Sequence, residues 1–145
     1  MCLFHFSEDP AITSFVPRPV RTPSARPQGF EWLNGPLVWA IDEWHQPMYL
    51  FPRQCPRILI WSVATTTAAD RMTYFGETNS RMLAFIEPPW RQTLEESRLF
   101  RYEMPAGSFT SLDDAGMWVS DRSVIPIERI EIADLQAALC LDDVE

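Results

Sequence analysis

The sequence predicts an α+β fold, and three observations lead there. Short strand-like and helix-like segments follow one another along 145 residues without an internal repeat, which suits a mainly antiparallel or mixed sheet with peripheral short helices. Thirteen prolines argue for several short elements joined by stiff loops, and against a helical bundle. The 46% hydrophobic content, with 12% aromatic residues, is enough to bury a core in one domain spanning 1–145.

LFHF (3–6) is a first strand, rich in aromatic residues, and SEDPAITSF (7–15) is a turn or a single helical turn with Pro10 at its start. VPRPVRTPSARPQG (16–29) holds four prolines and three arginines, the composition of an extended, exposed loop. The apolar run LVWAI (37–41) is a strand buried on both faces. Asp42 caps a short helix over 42–51, or the helix begins only at Pro47. RILIWSVA (57–64) is the next strand. TTTAADRMTYFG (65–76) is a helix with a threonine cap and Gly76 as its stop. RMLAFIE (81–87) is a strand or buried segment, PPWRQTLEES (88–97) a helix, and RLFRYEM (98–104) a strand. SFTSL (108–112), MWVS (117–120) and VIPIERIEI (124–132) are short strands, ADLQAALCL (133–141) is an amphipathic helix, and 142–145 is an acidic tail.

The net charge of −8 argues against general nucleic-acid or membrane-surface binding. All twelve cationic residues are arginine, and the acidic excess falls in 61–145. Cys2, Cys55 and Cys140 are scattered and odd in number, as expected of free thiols in the cytoplasm. No apolar run reaches membrane-spanning length, and the N-terminus lacks the pattern of a signal peptide. With two histidines and no Cys/His pair at ligand spacing, no metal is expected.

The familiar phosphate-loop, dinucleotide, nucleophile-elbow and zinc-helix motifs are absent. Candidate chemistry therefore rests on single residues. His5, in the middle of an apolar strand, either faces a cleft or is a hydrogen-bonded core histidine. His45, beside Trp44, suits a surface or packing role. Trp39, Trp44 and Tyr49 either wall a pocket for a planar ring or belong to the core. Arg18 and Arg53, in stiff PRP and FPR contexts, either meet a phosphate or are ordinary surface residues. Asp113 and Asp114 form a turn or present a carboxylate at a cleft; Glu103 and Asp121 are weaker candidates.

The blocks LFHFSEDPAITSFVPRP, VWAIDEWHQPMYLFPRQCPRI and MWVSDRSVIPIERI resemble an uncharacterised bacterial family over most of the chain. More distantly, the layout resembles small ADP-ribosyltransferases of the rifamycin-modifying type. LFHFS stands where those have a YHGT-type strand, VWAI where they have a VY-T strand, RLFRYEMPAGSFTSLDD mirrors a strand, turn and acidic pair, and WVSDRSVIPIERI mirrors the final strand. Phe6-Ser7 replaces Gly-Thr, and Trp39 replaces the tyrosine. The resemblance implies an enzyme that uses NAD to modify an unknown acceptor. His5 and Ser7 would hold the nicotinamide ribose, Trp39 would lie against the nicotinamide with Tyr49 as a substitute for the missing tyrosine, and Arg18 and Arg53 would lie near the pyrophosphate. Asp114 or Asp113 would stabilise the ribosyl cation or orient the acceptor. It also admits a non-catalytic nucleotide- or protein-binding module of the same fold, or an interaction protein whose aromatic residues form a dimer surface.

Overall fold

A computed structural model describes residues 1–145. It is α+β, with eight strands, mostly antiparallel, and three short helices. Contacts group the chain into two compact units, residues 1–46 with 100–131 and residues 47–99 with 132–145.

The first unit is built on a six-stranded sheet. Its strands are β1 (Leu3–Ser7), β2 (Val38–Asp42), β5 (Arg98–Met104), β6 (Thr110–Ser111), β7 (Met117–Ser120) and β8 (Glu128–Ala133), in the order β6-β7-β2-β1-β5-β8. β1 and β2, the two most apolar runs of this unit, occupy the centre, where both faces are covered. β1 pairs with β5 over five residues, Leu3 with Met104 through Ser7 with Phe100, but with β2 over only two, Leu3 with Asp42 and Phe4 with Ile41. The first two strands therefore part beyond Phe4.

Side chains alternate between the faces along each strand. One face gathers Leu3, Val38, Ala40, Phe100, Tyr102 and Met104 over Phe15, Phe109 and Val124. Trp39, between Val38 and Ala40, packs instead with Leu33, Leu37 and Val119. The Tyr102 hydroxyl donates to the Asp9 carbonyl at 2.6 Å and accepts from the Ile12 amide at 3.2 Å. Segment 7–15 is thus a turn tied to the core, with no helical turn at Pro10. The Pro/Arg-rich loop is extended and mostly exposed, as its composition predicts, and is pinned by backbone pairing of Arg18 with Leu37.

In the second unit, β3 (Arg57–Trp61) and β4 (Met82–Ile86) form an antiparallel ribbon with Leu59 opposite Ala84. Helix α1 (Ala68–Phe75) starts where Thr67 Oγ1 accepts from the Asp70 amide and stops at Gly76, whose φ of +59° suits glycine. Helices α2 (Trp90–Glu96) and α3 (Leu135–Leu141) bury Leu94, Leu135 and Leu139. One of the two alternatives for 42–51 fails here. The helix over 42–51 does not form; the alternative start near Pro47 holds, as a turn leading into a 3₁₀ helix, Gln46–Tyr49, whose first turn tolerates Pro47 because its missing amide is not needed there. The acidic segment 142–145 runs along β4: the Glu145 amide donates to the Met82 carbonyl and the Ala84 amide to the Glu145 carbonyl, with Val144 buried.

Candidate acid–base site

The site grows from the end of β2. Asp42 is the last residue of β2, and its carboxylate is well suited to capping the turn that follows. Its Oδ1 accepts the His45 amide at 2.8 Å, which brings the chain round within three residues. The same oxygen lies 2.8 Å from Nδ1 of the His45 ring. A carboxylate facing the ring in this way fixes the imidazole with its proton on Nδ1. Trp44 packs edge-on to the His45 ring, with centroids 4.8 Å apart. Both side chains of the Asp42–His45 pair remain partly accessible.

The β6–β7 turn closes the pair from the other side. The Asp42 amide donates to the Gly116 carbonyl, and the Met117 amide to the Asp114 carbonyl. A Cβ at Gly116 would lie 2.4 Å from His45 Nδ1 and 2.6 Å from Asp42 Oδ1, and the residue holds φ +73°. Only glycine allows this approach. Asp113 and Ala115 also have positive φ, +52° and +47°, conformations that cost energy in non-glycine residues and cluster at functional sites. Asp113 is further held by Ser111, whose Oγ accepts its amide. Asp114 is exposed in the same turn.

His5 has a different role. Its Nδ1 lies 2.9 Å from the Trp39 carbonyl, which can only accept, so Nδ1 carries the proton. The contact falls where β1 and β2 part, and the imidazole takes a carbonyl that the ladder no longer reaches. The ring packs on Phe15 at 4.6 Å, inside the first apolar cluster. The Trp39 indole lies with the second cluster, its buried Nε1 lacking an acceptor. His5 and Trp39 therefore share no face for one ligand ring, a correction to the expected aromatic wall. Nor is His5 the histidine beside the acidic turn. β2 stands between β1 and β7, and Gly116 aligns with Asp42, which pairs with Leu3. That separates His5 from the turn by roughly 10 Å across the sheet and about 7 Å along it. The imidazole beside Asp113 and Asp114 is that of His45.

The other expected positions are accounted for in turn. Ser7 Oγ accepts the Asp9 amide and shapes the turn after β1. Arg18 lies exposed on the extended loop. Tyr49 and Arg53 belong to the second unit. There the Arg57 guanidinium sits over Tyr49 and Phe51 and donates to the carbonyls of Met48 and Cys55. Burial raises the Tyr49 phenol above its ordinary value, with Arg57 opposing, and burial lowers Arg57. Tyr49 is a protonated packing group in this setting. The three cysteines are free thiols. No cluster of three His, Cys, Asp or Glu residues suits a metal ion, and no helix is long and apolar enough to cross a membrane.

Fold and site define an α+β protein that carries a carboxylate–imidazole pair at the end of a central strand. The chain belongs to the family of unknown function DUF6886, whose family model matches residues 4–145. No curated protein and no solved structure matches the chain.

Proposed function

We propose that the chain is an acid–base enzyme of the transferase or hydrolase class whose reacting pair is Asp42 and His45. We further propose that NAD, the substrate implied by its resemblance to small ADP-ribosyltransferases, is what it cleaves. The observation that carries this reading is the 2.8 Å Asp42–His45 contact beside a turn of strained residues bearing two carboxylates.

The chemistry asks little more. The bond from ribose C1′ to the nicotinamide nitrogen breaks, its electron pair leaves with neutral nicotinamide, and positive charge develops on the ribose. A carboxylate of the acidic turn, Asp114 or Asp113, both exposed, would stabilise that charge. His45, its Nδ1 proton held by Asp42, would accept at Nε2 the proton of an acceptor hydroxyl or of water as the new C1′–O bond forms. These roles replace the His5–Trp39 clamp that the resemblance implies.

The test is nicotinamide release from NAD by the purified protein, alongside a thermal melt with and without NAD. Release that falls roughly 100-fold or more in both His45→Ala and Asp42→Asn, but persists in folded His5→Ala, supports the reading. Neither release nor an NAD-induced rise in Tm overturns it.

A second reading, a non-catalytic nucleotide- or protein-binding module, is favoured by the way His5 is spent on the Trp39 carbonyl and on packing. A rise in Tm with NAD but no release would select it.

A further inference from the structure

The first unit carries a depression on the sheet face opposite His5. It encloses about 230 Å³ and is lined by Cys2, Phe4, Arg101, Glu103, Glu128 and Ile130. The register explains the grouping: Phe4 pairs with Glu103 and Phe6 with Arg101, so alternate residues of β1 and β5 face it together.

Arg101 is held in place. Its guanidinium lies 4.4 Å over the Phe4 ring, and Nη1 donates to Oε1 of Gln46 at 3.0 Å. Gln46 is buried and is itself anchored through Nε2 on the Glu43 carbonyl. A guanidinium has five N–H donors, and this anchor takes one. The Cys2 thiol lies near Glu103, whose carboxylate raises its pKa. No ion pair joins Arg101 to Glu103 or Glu128, although all three line one small cleft.

We infer that this cleft binds a zwitterion, an α-amino acid with an aliphatic side chain. A simple anion attracted to Arg101 would meet two carboxylates, and a simple cation attracted to the carboxylates would meet the guanidinium. A molecule with both charged groups on one carbon satisfies both walls. Its carboxylate takes the guanidinium, its ammonium takes Glu103 and Glu128, and Phe4 and Ile130 supply apolar surface for its side chain. The volume admits a molecule of that size and little more. This inference stands apart from the NAD reading and shares no residue with Asp42, His45 or the acidic turn.

The experiment is a ¹H–¹⁵N NMR titration of the full chain with L-leucine to about 10 mM, the range of weak small-ligand binding. Isoamylamine, which lacks the carboxylate, and 4-methylpentanoate, which lacks the ammonium, serve as controls. Saturable shifts at Arg101 and Glu103 are expected with leucine, weakened roughly tenfold or more by loss of either ligand charge. Arg101→Met, which removes the guanidinium and keeps an unbranched side chain, should abolish the shifts. Glu128→Gln, at an exposed position, should weaken them without affecting folding. No saturable shift with leucine overturns the inference. So does equal binding of either singly charged control, or affinity unchanged in both variants.

Discussion

His5 and Trp39 are joined by one hydrogen bond, imidazole Nδ1 to main-chain carbonyl at 2.9 Å, while their rings pack into different clusters. The bond serves the sheet: it satisfies a carbonyl at the point where β1 leaves β2. Removing it strands a half-buried acceptor. His5→Ala should lower stability by about 1–3 kcal/mol in a urea titration, with or without any ligand. His5→Phe, which keeps a ring against Phe15, should recover the packing but not the hydrogen bond. A variant as stable as wild type would show that the carbonyl finds another donor.

Gly116→Ala tests the closure of the Asp42–His45 pair. The added carbon would fall 2.4 Å from His45 Nδ1, and φ is +73°. Left-handed backbone costs about 1–2 kcal/mol in a residue with a Cβ, and overpacking adds about 1–3. A loss of about 2–5 kcal/mol is expected, together with displaced His45 ring resonances in NMR.

Tyr49 gives a pH dependence. Its ordinary value is 10.0, and burial raises it in the folded protein. The folded state therefore keeps the phenol proton that the unfolded chain releases. The stability linked to this proton is complete below pH 10 and is lost as pH rises through the higher folded value. Tyr49→Phe should flatten the fall in urea midpoint between about pH 9 and about pH 11. A slope as steep as wild type would assign the alkaline loss elsewhere.

Cys2 should be a slow thiol. The nearby Glu103 carboxylate, then burial, raises it above the ordinary 9.0. The thiolate is the reactive form. Alkylation by iodoacetamide at about pH 8 should be slower than for a small-molecule thiol, and Glu103→Gln should accelerate it. No acceleration in the variant would remove Glu103 as the cause.

Thr67→Ala should cost about 1 kcal/mol, since the side chain accepts the Asp70 amide that opens α1. Thr67→Ser should restore most of it, both read by urea titration.

That helix also shows what was legible in the sequence. Thr67 and Gly76 are local signals, and both are helix boundaries in the structure. β2 was equally plain, because a run of apolar residues needs no partner to be recognised. Asp42 was legible as a cap, and Asp42–His45, three residues apart, lies within reach of the same local reasoning. What hid the pair was Gly116. A glycine in a DDAG turn looks like ordinary turn chemistry until β2 and β7 are paired, and that pairing is a long-range fact. The mistaken grouping of His5, Trp39 and Asp114 has the same origin. Which face a strand residue occupies depends on its neighbours in the sheet, and a reading along the chain does not contain them.

The ribbon of β3 and β4 is completed by Val144 and Glu145, which are made well after both strands. Met82 meets Val144 and Ala84 meets Glu145 across nearly the whole second unit. During synthesis, this edge has to wait until residue 145 has cleared the ribosome, whereas β3 and β4 can pair long before. The nascent chain thus carries an uncovered strand edge for the time taken to translate α2 through α3, and that interval is when it is most open to wrong pairing with another chain.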